Sequence, residues 1–111
     1  MKKIDFNSYQ LEAIGTAIFP KEKAMEYLTL GLCGESGEVA NKIKKVLRDN
    51  DGKYSNEKRK EICDELGDVM WYLAVLAYHL NTDLETIANQ NLEKLFRRRE
   101  NNTIGGSGDN R

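Results

Sequence analysis

The sequence predicts an all-α fold: a bundle of four helices around one small core, followed by a short glycine-rich tail. Three observations predict it. Apolar residues recur at steps of three and four, no stretch alternates with the two-residue period of a strand, and turn or capping residues fall at only a few places. At 111 residues the chain is expected to form a single domain over 1–111. Its core is small enough that association with further copies through helix packing is the natural way to bury more apolar surface.

The first helix is expected from about Ser8, a candidate N-cap, to Ile18, with Tyr9, Ile14, Ala17 and Ile18 as packing residues and Pro20 beyond its end. A long helix follows from Lys21 to Arg48, stopped by Asn50, Asp51 and Gly52. Gly31, Gly34 and Gly37 lie inside it, each about 1 kcal/mol less favourable there than Ala, which predicts close approach of a neighbouring helix or of a ligand. The third helix is expected over Asn56 to Leu80, with Ile62, Leu66, Val69, Leu73, Leu76 and Leu80 as its core face. Thr82 and Glu85 form a capping box for the fourth, Asp83 to Asn101. Residues 103–111, TIGGSGDNR, have the composition of a frayed end, although the cations of the preceding helix give them something to bind.

Charged residues make up 32% of the chain but the net charge is only −1, so there is no basic field for nucleic acid. Cys33 and Cys63 each sit within a helical apolar pattern, where reduced, buried thiols are expected rather than a disulfide or zinc framework. No apolar stretch reaches membrane-spanning length and no signal peptide is visible, so a cytoplasmic protein without a membrane partner is expected.

Two pairs of carboxylates carry the chemistry. Glu35 and Glu38 stand three apart in GESGEVANKIKK, and Glu65 and Asp68 three apart in EICDELGDVMWYL, so each pair shares one helix face. At about 100° per residue, Glu61, Glu65 and Asp68 fall within a roughly 60° sector, with Asp64 at its edge and Tyr72 continuing the stripe. No base falls within the stripe itself between Glu61 and Tyr72, whereas an ordinary solvated face mixes signs. Four acids converging from two antiparallel helices repel one another unless a cation lies between them, and carboxylate oxygens without His or thiolate partners suit Mg²⁺ or Mn²⁺. Glu61 is a candidate outer ligand. A fork of Lys and Arg beside such a site is what a polyphosphate requires, because guanidinium and ammonium groups hold the oxygens that the metal does not. Lys42, on the face of Glu35 and Glu38, and Lys94 and Arg98 in the last helix are the candidates. Tyr9, Gln10, Trp71, Tyr72 and Asn91 are candidates for a base pocket, and His79 is expected at a surface or interface.

The acid pairs in the contexts GESGEVAN and DELGDVMWYL resemble the ExxE and ExxD motifs of the all-α MazG-type nucleoside triphosphate pyrophosphohydrolases. The resemblance runs from about Leu11 to the C-terminus and extends to NLEKLFRRR and GSGDNR, as in small single-domain members. It implies a MazG-like bundle and a hydrolase cutting (deoxy)nucleoside triphosphates between the α and β phosphates, expected to cleanse the nucleotide pool. It also implies Mg²⁺, with Mn²⁺ able to substitute, held by Glu35, Glu38, Glu65 and Asp68. Glu38, with Glu35, is then the catalytic choice for orienting the water. Lys42, Tyr72, Asn91, Lys94, Arg98, Asp109 and Arg111 are the expected substrate contacts, and a homodimer or a dimer-of-dimers tetramer the expected assembly. The alternative classes are a noncatalytic metal-binding protein and a helical interaction module docking a basic partner.

Overall fold

The computed structural model describes residues 3–111, and among these it is all helical, with no strand. Helix α1 spans Phe6–Ile14, a single 3₁₀ turn Lys21–Lys23 leads into α2, Ala24–Asp49, and α3, Asn56–His79, and α4, Leu84–Glu100, complete the chain. The expectation of four helices holds, with shifted ends. Asp5 caps α1 in place of Ser8, accepting from the Ser8 N–H at 2.8 Å, so the helix begins and ends earlier than expected and Ile18 stands outside it, almost fully exposed. Asp83 caps α4 in place of Thr82, accepting from the Thr86 N–H at 2.8 Å. Thr82 instead offers its carbonyl to Gln10. At the end of α2, Asp51 and Gly52 both take positive φ, and the Gly52 N–H returns to Val46 O, the left-handed exit for which glycine is suited.

The α2–α3 pairing is the main packing of the molecule, with α1 laid against α3. Their shared core consists of Ala13, Ala24, Leu28, Ala74 and Val75, flanked by Tyr9, Phe19, Trp71 and Tyr72. The expected α3 core face holds in part, with Leu76 packed against the core and Ile62 and Val69 half-buried. Leu66, Leu73 and Leu80 point outward, whereas Ala74, Val75 and Ala77 are buried. Small side chains let α3 approach two neighbours at once, so its larger apolar residues are displaced to the outside. Cys63, Leu66, Met70 and Leu73 then form one exposed stripe on α3, and Leu30, Cys33, Gly37 and Ala40 form another on α2. Both cysteines are free and exposed, contrary to the expectation of buried thiols.

Buried Gln10 ties α1 to α3, its Nε2 donating to Ala74 O at 3.0 Å and to Thr82 O at 3.2 Å. Asn7 ties α1 to α4 by donating to Glu85 Oε2 at 3.1 Å. The radius of gyration, 16.9 Å, exceeds the roughly 13 Å of a compact domain of about this length, because the paired long helices are not wrapped by the two shorter ones.

Of the three α2 glycines expected to mark a close approach, Gly31 does so within this chain. A Cβ there would lie 2.0 Å from a ring carbon of Tyr72, while Gly34 and Gly37 have open space around them. Gly31→Ala is expected to destabilise the protein by about 1–3 kcal/mol through overpacking, partly offset by better helix propensity. In a Tyr72→Ala background the same change should turn neutral or stabilising. A double-mutant cycle by denaturant unfolding that finds no coupling would refute the contact.

Candidate functional site

Glu35 projects from α2 and Glu65 and Asp68 from α3, and these three bring one carboxylate oxygen each within 4.8 Å of one another. The α2–α3 pairing makes this meeting, since the acids occupy matching faces of the two long helices. Glu35 and Glu65 are half-buried and Asp68 is exposed. Partial burial, with the shared hydrogen bond to Glu65 and the charges of Asp68, Glu65 and Glu38 behind it, pushes the Glu35 carboxyl above the usual carboxylate range. Glu38 thus lies close enough to act on Glu35, yet it is exposed and outside the group of three.

One base reaches the cluster: Lys42 Nζ, from α2, at 3.8 Å from Glu65 Oε1. The stripe of α3 is less bare than the sequence reading expected. Lys58 pairs with Glu61 at 2.9 Å and Lys60 with Asp64 at 3.1 Å, one turn upstream in each case. Glu61, the candidate outer ligand, is engaged by Lys58 and lies outside the group of three. Glu65 and Asp68 remain facing Glu35.

The wall beside the acids is aromatic. Glu35, Asp68, Trp71 and Tyr72 line an open cleft of about 330 Å³. Trp71 stands edge-on to Tyr72 with ring centroids 4.9 Å apart, and its indole N–H donates to Thr16 Oγ1 at 2.7 Å. Burial, followed by the Tyr27 hydroxyl and then the nearby acids, raises the Tyr72 phenol, and burial together with Asp68 raises that of Tyr9. Gln10, a candidate for a base pocket, has its amide N–H groups committed to two backbone carbonyls and is structural. That role was invisible in sequence because nothing local marks a glutamine whose partners lie 64 and 72 residues away. A larger cleft of about 440 Å³, lined by Phe19, Lys21, Tyr78, His79 and others, contains no carboxylate and so offers no seat for a hard cation.

The remaining candidates gather elsewhere. Lys94 and Arg98 both donate to Asp109 Oδ1, and Arg111 donates to carbonyls of its own tail. Asn91 and Lys94 line a separate shallow cleft along α4. In one chain, then, Glu35, Glu65, Asp68, Lys42 and Tyr72 form one constellation and Lys94, Arg98, Asp109 and Arg111 another.

The donor set of the first constellation fits a hard divalent cation: three carboxylates, no nitrogen or sulfur ligand, and excess negative charge. The profile of the MazG nucleotide pyrophosphohydrolase domain matches residues 23–103, which includes every acid of the cluster. The chain belongs to this family. It is also similar to the Gene 37 protein of Mycobacterium phage L5, 49% identical over 109 residues that cover 93% of this chain and 96% of the relative. No solved structure matches it. As a MazG-family chain it has α2 and α3 as the body of the matched region, so the acids fall within the family's own helices rather than in an added segment.

Without metal, the crowded acids should oppose folding. The Glu35 carboxyl holds its proton more tightly folded than unfolded, so its ionisation destabilises the folded chain, and the penalty develops as pH rises from the ordinary glutamate range through the raised folded value. Glu35→Gln is accordingly expected to raise Tm in EDTA at neutral pH and to do so less at pH 4. A lower Tm for Glu35→Gln at neutral pH would show that the carboxylates do not repel one another as the geometry requires.

Proposed function

We propose that this chain hydrolyses nucleoside triphosphates between the α and β phosphates in a Mg²⁺-dependent reaction, yielding a nucleoside monophosphate and pyrophosphate. The observation that carries the reading is the convergence of Glu35, Glu65 and Asp68 from two helices beside an aromatic wall, in a chain of the MazG nucleotide pyrophosphohydrolase domain family. The carboxylates Glu35, Glu65 and Asp68, with Glu38 one turn along α2, would hold the metal. Bound there, Mg²⁺ would supply Lewis-acid polarisation of the phosphoryl group and a more acidic water. Glu38 is exposed and stands outside the group of three, which suits it to orienting that water. Lys42 stands where it can take a phosphate oxygen once a cation relieves its pairing with Glu65. Trp71 and Tyr72 offer apolar ring surface next to the acids for the nucleoside.

We also infer that the working form is an assembly of copies. The apolar stripes on α2 and α3 are exposed in the single chain, as are Ile87, Leu92 and Phe96 on α4, and the extended shape leaves them uncovered. A second copy supplies the same stripes in a symmetric pairing. The cation fork of α4 then becomes available to a neighbour's phosphates, and the role in the cell would be cleansing of the nucleotide pool.

Incubation with a panel of nucleoside triphosphates and Mg²⁺ should release monophosphate and pyrophosphate in equal amounts, with no diphosphate. EDTA should abolish turnover, Mg²⁺ or Mn²⁺ should restore it, and Glu38→Gln and Asp68→Asn should each lower kcat on the order of a hundredfold. Orthophosphate as first product, or full turnover in chelator, would overturn the reading. Light scattering at micromolar concentration should give at least a dimer, and a monomeric mass would refute the assembly.

A further inference from the structure

One wall of the acid cleft is held from outside the two helices that carry the acids. Trp71, half-buried on α3, donates its indole N–H to Thr16 Oγ1 at 2.7 Å, and Thr16, just past the end of α1, donates its own hydroxyl hydrogen to Ala13 O, also at 2.7 Å. An indole nitrogen can only donate and a hydroxyl has a single hydrogen, so the relay runs one way, from Trp71 through Thr16 to the backbone of α1. Successive bonds of this kind polarise one another. Ala13 belongs to the buried core, and Gln10 pins α1 by donating to Ala74 O and Thr82 O. The relay therefore ends on a fixed point.

Packing against the core and against the edge of Tyr72 limits where the Trp71 ring can go, but rotation about its χ2 is intrinsically broad. A bond at the nitrogen end selects one setting. Trp71 and Tyr72 then stand at 82° to each other as two faces of a corner, in the cleft that Glu35 and Asp68 also line. No amide lines this cleft, and that of Gln10 is committed elsewhere, so what the corner offers a flat heterocycle is ring surface. Thr16 precedes residues 23–103, the span of the family match, so α1 contributes this tie to a cleft whose acids come from the matched region.

We propose that Thr16 is a positioning residue, which fixes the Trp71 indole as a stacking platform for the heterocyclic base of the nucleotide. It sets affinity for the base and leaves the metal and the phosphates alone. The inference rests on the hydrolase reading for the class of ligand in the cleft, and its test separates the two.

The test compares the unaltered chain with Thr16→Val, which keeps the branched shape and removes the acceptor, and with Thr16→Ser, which retains it. Thr16→Val should raise KM by about threefold to tenfold with kcat within about twofold, the scale of one neutral hydrogen bond that serves binding and not the transition state. The factor should be similar for every common base, because each has a π-face to stack. Thr16→Ser should restore KM. Inorganic triphosphate, a competitive inhibitor without a base, should show the same Ki against all three chains in excess Mg²⁺, whereas a merely structural role would move that Ki as well. Trp71 is the only tryptophan, so its emission reports the platform directly. A non-hydrolysable nucleoside triphosphate should quench it, inorganic triphosphate should not, and the quenching midpoint should rise in Thr16→Val by the same factor as KM. Quenching needs no turnover, so a chain that shows this pattern yet hydrolyses nothing would refute the hydrolase reading alone. A nucleotide that leaves Trp71 emission unchanged, an unmoved midpoint in Thr16→Val, an effect confined to one base, an equal loss in Thr16→Ser, or a Ki that rises with KM would overturn the proposal.

Discussion

Repulsion among Glu35, Glu65 and Asp68 is the constraint around which the α2–α3 pair is built. Three carboxylates within 4.8 Å, with one lysine at 3.8 Å, would push two free helices apart. What holds them is packing on either side of the acids. Leu28 and Val75 lie in the shared core, Val46 is fully buried farther along α2, and Gly31 lets the Tyr72 ring sit directly on the α2 backbone. Such an arrangement stores unfavourable electrostatics at a site where a cation would relieve it, the usual relation between local destabilisation and function. The aromatic wall follows from the same contact, because the ring that fills the space at Gly31 also lines the cleft beside Glu35 and Asp68.

The acids were legible in the sequence because their signal is local. Spacing of three on each helix sets the face, and like charge sets the chemistry, so Glu35, Glu65 and Asp68 could be grouped without knowing how the helices cross. Glu38 could not be separated from Glu35 in that way, since the crossing point decides which of two acids one turn apart faces the partner helix. Helix existence was equally legible, and helix phase was not. On α3 the leucine stripe and the Ala74, Val75, Ala77 stripe both repeat with helical period, and only the presence of two close neighbours favours the smaller residues. The caps failed for a related reason. Asp5 and Ser8, or Thr82 and Asp83, are all acceptable cap residues, and the choice is settled by long-range ties such as Gln10 to Thr82 O.

The tail shows the limit of composition most plainly. Glycine, serine and asparagine in residues 103–111 predict fraying when taken alone. Their order comes from partners outside the segment: a buried arginine on α4 needs a counter-charge, and Asp109 provides it across 11 residues. Composition registers neither the burial of Arg98 nor the loop that Arg111 closes.

The exposed stripes bear on the acids as well as on assembly. Leu30, Cys33 and Gly37 on α2 and Leu66, Met70 and Leu73 on α3 belong to the two helices that carry the carboxylates, within five residues of them in sequence. A small core must oppose like-charge repulsion, and hydrophobic stabilisation grows with the apolar area removed from water, at about 25 cal/mol per Å². Covering these stripes with a second copy would clamp the same helix pair from outside, at the level of the acids. If copies pair as proposed, association and a closed acid cluster would favour one another, and the large leucines that α3 carries on its surface would be the feature that couples the two.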